Sequence, residues 1–348
     1  MSKPKVAVIL PTIRENNLLQ FLAKWHKDFS HSAKNYQITL YVVEDNPEKT
    51  FDVANAVGKK KLPYSVKHFC WQDIETALGK AAWIIPHRSD TVRSIGIFLA
   101  YQENNEFFIT MDDDCYPAYD QKNAEGYYIE SHVHNLITFS YQENGWTNSI
   151  LHYKPRGYPY GSTAVNRLVK NAAISHGLWV NVPDFDAITA LSTEKKDHYY
   201  DLIKDTCVAS GNFYPMCSMN LAWRRDCTPM MYFLLMGQSP SGEKYLYDRF
   251  GDIWCGLFSK KILDHLHRPV VSGSPYIHHD RASSAYDNLI KEAPGIKTNE
   301  VLWKDLNEIE LTGETVKDCY IELSSKLPTY SDYWKELKLA MKTWAELY

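Results

Sequence analysis

The chain has 348 residues, enough for one large domain or two ordinary ones, and 45% of them are hydrophobic, which suffices for a substantial core. The formal net charge of -4, from 38 basic and 42 acidic residues, gives no polybasic signature for binding nucleic acid or an anionic membrane. The apolar run Val6 to Leu10 is too short for a signal peptide, no stretch approaches the ~20 residues of a membrane helix, and the seven cysteines form no CxxC pair. We therefore expect a protein without a membrane span and with reduced thiols, located in the cytoplasm.

The first third of the chain alternates strand and helix signals. Buried-type apolar runs at residues 5–10 and 38–43 flank a helical pattern at 17–29, and a third strand is predicted at 65–70. Ser89 is expected to cap a following helix, with Asp90 in its first turn, where a carboxylate suits the helix dipole. This order predicts an α/β fold with a mostly parallel, Rossmann-like central sheet.

Three adjacent carboxylates, Asp112, Asp113 and Asp114, follow a short apolar strand predicted at 107–111. Carboxylates at the C-terminal end of a strand lie where α/β sheets bind ligands. Their mutual repulsion either raises a pKa or recruits a cation, and oxygen ligands suit Mg²⁺ or Mn²⁺ bridging to phosphate. We interpret the triplet as a metal-diphosphate site of the kind found in GT-A nucleotide-sugar transferases. The alternative is a solvated acidic turn.

Further candidates for nucleotide contacts lie after the first two strands and around the capped helix: Pro11, Thr12, Arg14, Asp45, Arg88 and Arg93. The carboxylate of Asp45 either accepts a uracil N3–H or a ribose hydroxyl, or simply ends its strand in an Asp-Asn-Pro turn. The two arginines at the helix start either meet a diphosphate or are ordinary exposed arginines.

Beyond about residue 150 the periodicity weakens and glycine, proline and aromatic residues become more frequent, which predicts loops that build a pocket. From Ser331 onward, apolar residues recur at three- and four-residue steps, which predicts an amphipathic helix that caps the domain or joins subunits. We expect a catalytic domain at residues 1–290 with a helical extension at 291–348. Self-association into a homo-oligomer stays open.

Short motifs spread over nearly the whole length share one order with a known family. They include Leu10-Pro-Thr-Ile-Arg14, Asp112-Asp-Asp-Cys115, Arg156-Gly-Tyr-Pro159, His176-Gly-Leu-Trp179, Asp264-His265-Leu266 and Cys319-Tyr-Ile-Glu-Leu323. In this order they resemble the reversibly glycosylated polypeptides of glycosyltransferase family 75, also known as UDP-arabinopyranose mutases. The resemblance implies a GT-A-like core that binds UDP-sugars through Mn²⁺ (or Mg²⁺) and interconverts UDP-arabinopyranose and UDP-arabinofuranose. It also implies reversible self-glycosylation.

Carried over by motif, the resemblance makes Asp114, Asp112 and His279 the metal ligands, with Asp112 and Asp113 also in catalytic roles. Arg156 matches the family's self-glycosylated arginine, and Arg167 matches a second family arginine by its spacing. A guanidinium is protonated and has no free lone pair, so we expect both arginines to stabilise the departing UDP electrostatically. The candidates for sugar contacts are Trp179, Asn181, Asp184, Asp186, Asn220 and Asp252.

The chain departs from the family pattern near the expected pocket. Gly251 replaces one of two adjacent family acids, Ser218 replaces a glycine, and His278 replaces a tryptophan. These changes leave the identity of the sugar open. Two other functions also stay open: a glycosyltransferase that acts on itself or on a separate acceptor, and a non-catalytic subunit of a mutase complex.

Overall fold

The computed structural model describes residues 2–53, 62–118, 126–143, 166–181, 184–192, 205–280 and 284–348, with the backbone alone at 139–143 and 166–170. The strands are β1 (Lys5–Thr12), β2 (Gln37–Glu44), β3 (Ser65–Phe69), β4 (Phe107–Met111), β5 (Cys115–Pro117), β6 (Phe139–Glu143), β7 (Asn166–Lys170), β8 (Ile174–Asn181), β9 (Thr206–Cys207), β10 (Asn220–Arg224) and β11 (Val270–His279). The α-helices are α1 (Glu15–Ser32), α2 (Trp71–Leu78), α3 (Arg93–Gln102), α4 (Tyr128–Ile137), α5 (Ala187–Ser192), α6 (Gly251–His265), α7 (Ala285–Glu308), α8 (Val316–Lys326) and α9 (Asp332–Glu346).

The central sheet has nine strands, eight of them in the order β3-β2-β1-β4-β10-β8-β11-β5, with β9 paired to β11. Strands β1, β2, β3, β4, β8 and β11 share one direction, whereas β5, β9 and β10 run the opposite way. The predicted α/β fold with a mostly parallel central sheet is confirmed. As a consequence, the carboxyl ends of β2, β1, β4, β8 and β11 meet at one edge of the sheet.

The N-terminal strands form because their sequences are apolar on both faces. Residues Val6 to Leu10 of β1 are fully buried, as the centre of a parallel sheet requires. Helix α1 covers one face with Leu18, Phe21, Trp25 and Phe29, which recur at helical spacing and are fully buried. The predicted helix at 17–29 and the predicted strands at the start of the chain are confirmed.

The helix predicted to be capped by Ser89 differs in detail. A 3-10 turn, Asp90–Val92, precedes α3, and the hydroxyl of Ser89 makes no capping hydrogen bond. That hydroxyl is buried without a hydrogen-bond partner among the described residues. The prediction of a side-chain cap at Ser89 was therefore wrong, because the turn tightens before the α-helix begins.

The C-terminal helices pack on the same core as the sheet. In α9 the residues Trp334, Leu337, Met341 and Trp344 are fully buried and belong to the cluster that also contains Trp223 of β10. The amphipathic tail predicted from Ser331 thus caps the domain within a single chain. The predicted boundary between residues 290 and 291 falls inside α7. Within the described ranges, no helix is long and apolar enough to cross a membrane, and all seven cysteines are free thiols.

Candidate functional site

A cavity of about 320 Å³ opens at the edge of the sheet where the parallel strands end. The predicted site residues that line it are Pro11, Thr12, Arg14, Asp45, Arg88, Arg93, Asp112, Asp113, Asp114, Asp184 and His279. The sheet order explains why residues so distant in sequence meet. Asp45 follows β2, the acidic triplet follows β4, Asp184 follows β8, and His279 ends β11.

Asp113 is held entirely by the protein. It is 3% exposed, and its carboxylate accepts hydrogen bonds from the Thr12 hydroxyl (2.7 Å), the Arg14 guanidinium (2.7 Å) and the Asn17 amide (3.2 Å). These contacts tie the loop after β1 to the triplet. The side chain of Arg14 is 44% exposed, so Asp113 positions a guanidinium group that a ligand in the cavity can reach.

Arg93 lies beneath the cavity and anchors Asp112. Its guanidinium donates to Oδ1 of Asp112 (2.9 Å) and to the carbonyl of Ser218 (3.3 Å), and its side chain is 1% exposed. Burial disfavours the Arg93 charge, but the carboxylates of Asp112 and Asp90 outweigh it and raise the pKa of Arg93. The diphosphate contact predicted for this arginine stays a prediction, and in the structure its guanidinium pairs with Asp112. The alternative, an ordinary exposed arginine, does not hold for Arg93, because α3 packs against the sheet and buries this side chain.

Asp114 differs from its two neighbours because no cation of the protein pairs with it in the described part of the chain. Among the residues that the structure describes, its carboxylate accepts just one long contact, from the Cys115 thiol (3.9 Å). Burial and the nearby Asp112 carboxylate together raise the pKa of Asp114 to about 6, although His279 opposes the rise. The site therefore carries negative charge that the fold does not neutralise.

The donor set around Asp114 fits a divalent cation in type. Asp114 and Asp112 offer carboxylate oxygens, and the 5% exposed His279 lines the same cavity. Arg93 occupies Oδ1 of Asp112, and Oδ2 has no hydrogen bond within the described ranges. The described residues do not, however, bring three such groups into a ready-made metal-binding cluster.

Asp45, which follows β2, supports the stacked rings of Trp71 and His87. Its Oδ1 accepts from the Trp71 indole N–H (2.7 Å) and from the backbone N–H of Arg88 (3.1 Å). The rings of Trp71 and His87 stack with centroids 3.9 Å apart. Burial raises the pKa of Asp45, and these hydrogen bonds oppose the rise. Arg88 has a left-handed backbone (φ 54), which is uncommon for a residue other than glycine.

A profile described as "Reversibly glycosylated polypeptide" matches residues 1–348. UDP-arabinopyranose mutase 2 of Arabidopsis thaliana is 33% identical over 99% of this chain and 91% of its own length. Probable UDP-arabinopyranose mutase 1 of Zea mays is 33% identical over 99% of this chain and 90% of its own length. The chain belongs to the reversibly glycosylated polypeptide family.

Among solved structures, this family member is similar to the S. aureus TarS 1-349 structure, with a TM-score of 0.41 and 10% identity over 99% of this chain and 89% of that one. It is also similar to the mannosyl-3-phosphoglycerate synthase of Rubrobacter xylanophilus. That match has a TM-score of 0.38 and 9% identity over 89% of this chain and 77% of that one.

Several of the residues predicted to contact the sugar lie outside the cavity lining. Asn220 is fully buried and hydrogen-bonded on all sides, as described below. Trp179 packs edge-on against His176, with ring centroids 5.8 Å apart. Asn181 donates to the carbonyl of His279 (3.1 Å), and Asp186 accepts from the backbone N–H of Thr189 in α5 (2.7 Å). In this structure, therefore, these four side chains contact neighbouring parts of the fold.

Asp252 lies at the start of α6 and contacts the segment before β10. Its Oδ2 accepts from the backbone N–H (3.0 Å) and the hydroxyl (3.2 Å) of Ser218. The neighbouring Gly251 has no room for the acid found in the family pattern. A Cβ atom at that position would lie 2.7 Å from the carbonyl oxygen of Phe233. The start of α6 therefore packs against the carbonyl of Phe233 at a position where only glycine fits without a shift.

The structure describes the side chain of neither predicted catalytic arginine. Arg156 lies outside the described residues, and Arg167 lies in β7, whose backbone alone is described. Strand β7 pairs with β6, and Gln142 is opposite Arg167.

Sequence reasoning missed four residues of this region: Trp71, His87, Asp90 and Arg249. Asp90 and Arg249 line the cavity, whereas Trp71 and His87 stack beside Asp45. Burial together with the nearby Asp252 raises the pKa of Asp90 to about 7. The left-handed backbone of Arg249 (φ 61) is a signal of a special site, but it is visible only in the structure.

Proposed function

We propose that this family member is a divalent-metal-dependent nucleotide-sugar mutase that interconverts UDP-arabinopyranose and UDP-arabinofuranose. The observation that carries the proposal is the unneutralised Asp114 beside Asp112 and His279, at the strand edge where α/β proteins bind ligands. Relatives that are 33% identical over 99% of the chain bear the name UDP-arabinopyranose mutase.

In this proposal Mn²⁺ or Mg²⁺ is held by Asp114, by Oδ2 of Asp112 and by His279. When bound, the cation neutralises charge on the diphosphate as the bond to C1 of the sugar breaks. Arg93 fixes the orientation of Asp112 through its 2.9 Å hydrogen bond, and Asp113 fixes Arg14 through its 2.7 Å hydrogen bond. Two of the three adjacent acids are thereby held in fixed orientations before a ligand binds.

Ring contraction requires four events at one place. The bond from C1 to the phosphate oxygen breaks, O4 forms a bond to C1, the bond from C1 to O5 breaks as O5 receives the proton that O4 loses, and UDP returns to C1. The enzyme must hold UDP and the sugar together throughout and keep water from C1. We propose that Arg156 and Arg167 stabilise the departing UDP, and that reversible glycosylation of the chain accompanies this step. We also propose a cytoplasmic location, and self-association into a homo-oligomer stays open.

The test is conversion of UDP-arabinopyranose by the purified full chain with Mn²⁺, with an EDTA-treated sample in parallel. Anion-exchange chromatography separates the two UDP-arabinose forms and free UDP. Formation of UDP-arabinofuranose only in the presence of metal is the expected result. Stoichiometric or greater release of UDP without the furanose form would replace the mutase with a transferase or hydrolase. Absence of any conversion would contradict the proposal.

A further inference from the structure

Arg249 lines the cavity immediately before α6 and is held in an unusual conformation. Its backbone has φ 61, in the left-handed region, which is unfavourable for a residue with a side chain and persists where the surroundings enforce it. Its Nε donates to Oε1 of Glu292 (3.0 Å). The terminal guanidinium nitrogens make no hydrogen bond to any residue that the structure describes. The side chain is 36% exposed and so is open to a ligand.

Glu292 holds Arg249 rigidly from the C-terminal helix α7. Its side chain is 7% exposed, and its second oxygen, Oε2, accepts from the backbone N–H of Ala187 (2.7 Å), the first residue of α5. One buried carboxylate therefore joins α5, α7 and the segment before α6. A guanidinium fixed at Nε keeps its terminal nitrogens at a defined position, which lowers the entropy lost on binding.

The order of strands places Arg249 on the sugar side of the cavity if the proposed function holds. Asp45 follows β2 on one side of the acidic triplet, and Asp184 follows β8 on the other side. Arg249 lines the cavity with Asp184, and the Asp184 charge acts on the Arg249 guanidinium. A nucleotide-sugar whose diphosphate lies at the triplet and whose base lies toward Asp45 therefore extends its sugar toward Asp184 and Arg249.

The charges around Arg249 favour a neutral ligand over a second phosphate. Three carboxylates act on its guanidinium, those of Glu292, Asp184 and Asp252. Burial disfavours the Arg249 charge, but the hydrogen bond that Arg249 donates to Glu292 outweighs this effect and raises the pKa of Arg249. One cation among three anions leaves net negative charge, which repels phosphate. Sugar hydroxyls suit this environment, because they donate to carboxylates and accept from a guanidinium.

We propose that Arg249, positioned by Glu292, binds hydroxyl groups of the sugar together with Asp184 and so determines which sugar the cavity accepts. The inference rests on the proposed function, because it takes the ligand to be a UDP-sugar. Hydrogen bonds to a charged group are among the stronger polar contacts, so loss of the guanidinium is expected to weaken sugar binding by about 10-fold or more.

The test compares UDP with UDP-arabinose in equilibrium dialysis, with Mn²⁺, for wild type and Arg249→Met. Dialysis tolerates interconversion of the two sugar forms, since both remain bound ligands. We expect UDP affinity to stay within about 2-fold, while the advantage of UDP-arabinose over UDP falls by about 10-fold or more. For Arg249→Lys, which keeps the charge but not the planar fork, the advantage of UDP-arabinose over UDP should lie between those of wild type and Arg249→Met. Arg268→Met is the matched control, because Arg268 pairs with Asp226 (2.9 Å) away from the cavity.

A double variant separates binding from structure. Arg249→Met leaves the buried Glu292 without its cation, and Glu292→Gln removes that unpaired charge. If the double variant regains the preference for UDP-arabinose, Arg249 has only a structural role and the inference fails. If Arg249→Met alone keeps the wild-type preference, the inference also fails while the proposed function stands. Wild type that bound neither ligand would refute the proposed function itself.

Discussion

Two polar clusters at the same end of the sheet show how differently motif residues are used. Asn220 is fully buried and its amide is satisfied: Oδ1 accepts from the Tyr128 hydroxyl and His132 (2.9 Å each), and Nδ2 donates to the carbonyls of Leu178 and Pro275 (2.8 Å each). Asp114, in the cavity, has no such set of partners among the described residues. A closed network stabilises the fold, whereas an open one is available to a ligand.

The closed network also explains a family motif. A Cβ atom at Gly177 would lie 2.2 Å from the Asn220 amide nitrogen and 2.3 Å from the carbonyl oxygen of Pro275. Glycine is thus required in the His176-Gly-Leu-Trp179 motif because the Asn220 network approaches the backbone. The comparison teaches that the same kind of motif evidence marks both structural and ligand-binding residues.

The largest predicted effect on stability is at the closed network. Asn220→Ala removes partners from His132, Tyr128 and two buried carbonyls, so we expect the free energy of unfolding to fall by about 4 kcal/mol. Denaturant unfolding measures this loss. A variant with wild-type stability but weakened UDP-arabinose binding would instead place Asn220 in the ligand site and abolish the comparison.

A smaller effect is predicted for the pH dependence of stability. His132 is fully buried, and burial lowers its pKa from 6.5 to about 3. A histidine with a folded-state pKa below its unfolded value contributes stability that is present above pH 6.5 and is lost as the pH falls. From pH 8 to pH 5 this loss amounts to roughly 2 kcal/mol. The half-buried carboxyls Asp90 and Asp252, whose pKa values are raised, oppose this trend in the whole protein.

The contribution of His132 is therefore measured as a difference. We expect the gap in unfolding free energy between wild type and His132→Gln to narrow by roughly 2 kcal/mol from pH 8 to pH 5. A gap that is constant over this range would show that His132 is not held neutral in the closed network.

The smallest predicted effect is at the edge of the open cluster. Gly251→Ala brings a Cβ atom 2.7 Å from the carbonyl oxygen of Phe233, and we expect a loss of about 1 kcal/mol of stability after local relaxation. UDP binding should be unchanged, since Gly251 does not line the cavity. Thermal unfolding measures the change in stability, and equilibrium dialysis measures UDP binding. A stabilised variant would show that the packing at this helix start is looser than described.

The sequence allowed the prediction of the parallel strands and of the cavity edge, because both depend on local patterns. The apolar runs of β1 and β4 are each contained in a few consecutive residues, and Asp112, Asp113 and Asp114 directly follow β4 in the chain. Strand direction then brings their ends together without further information. The metal, the sugar and the catalytic arginines remain predictions.

The remaining parts of the site depend on contacts between distant segments. The burial of Arg93 arises because α3 packs on the sheet, and its partner Asp112 is 19 positions away. Arg249 is joined to Glu292 across 43 positions. Neither pairing has a periodic signature, and each residue type is common on protein surfaces. The same reason explains why Asn220 was expected to contact the sugar.

Binding of UDP in the presence of Mn²⁺, measured by calorimetry for wild type and Asp114→Asn, tests the central claim most directly. Asp332→Asn, at a fully exposed position, is the control. We predict metal-dependent binding by wild type and the control, and at least about 100-fold weaker binding by Asp114→Asn without a loss of unfolding free energy. Equal, metal-dependent binding by all three proteins would contradict the assignment of Asp114 and of the open cluster as the nucleotide-sugar site.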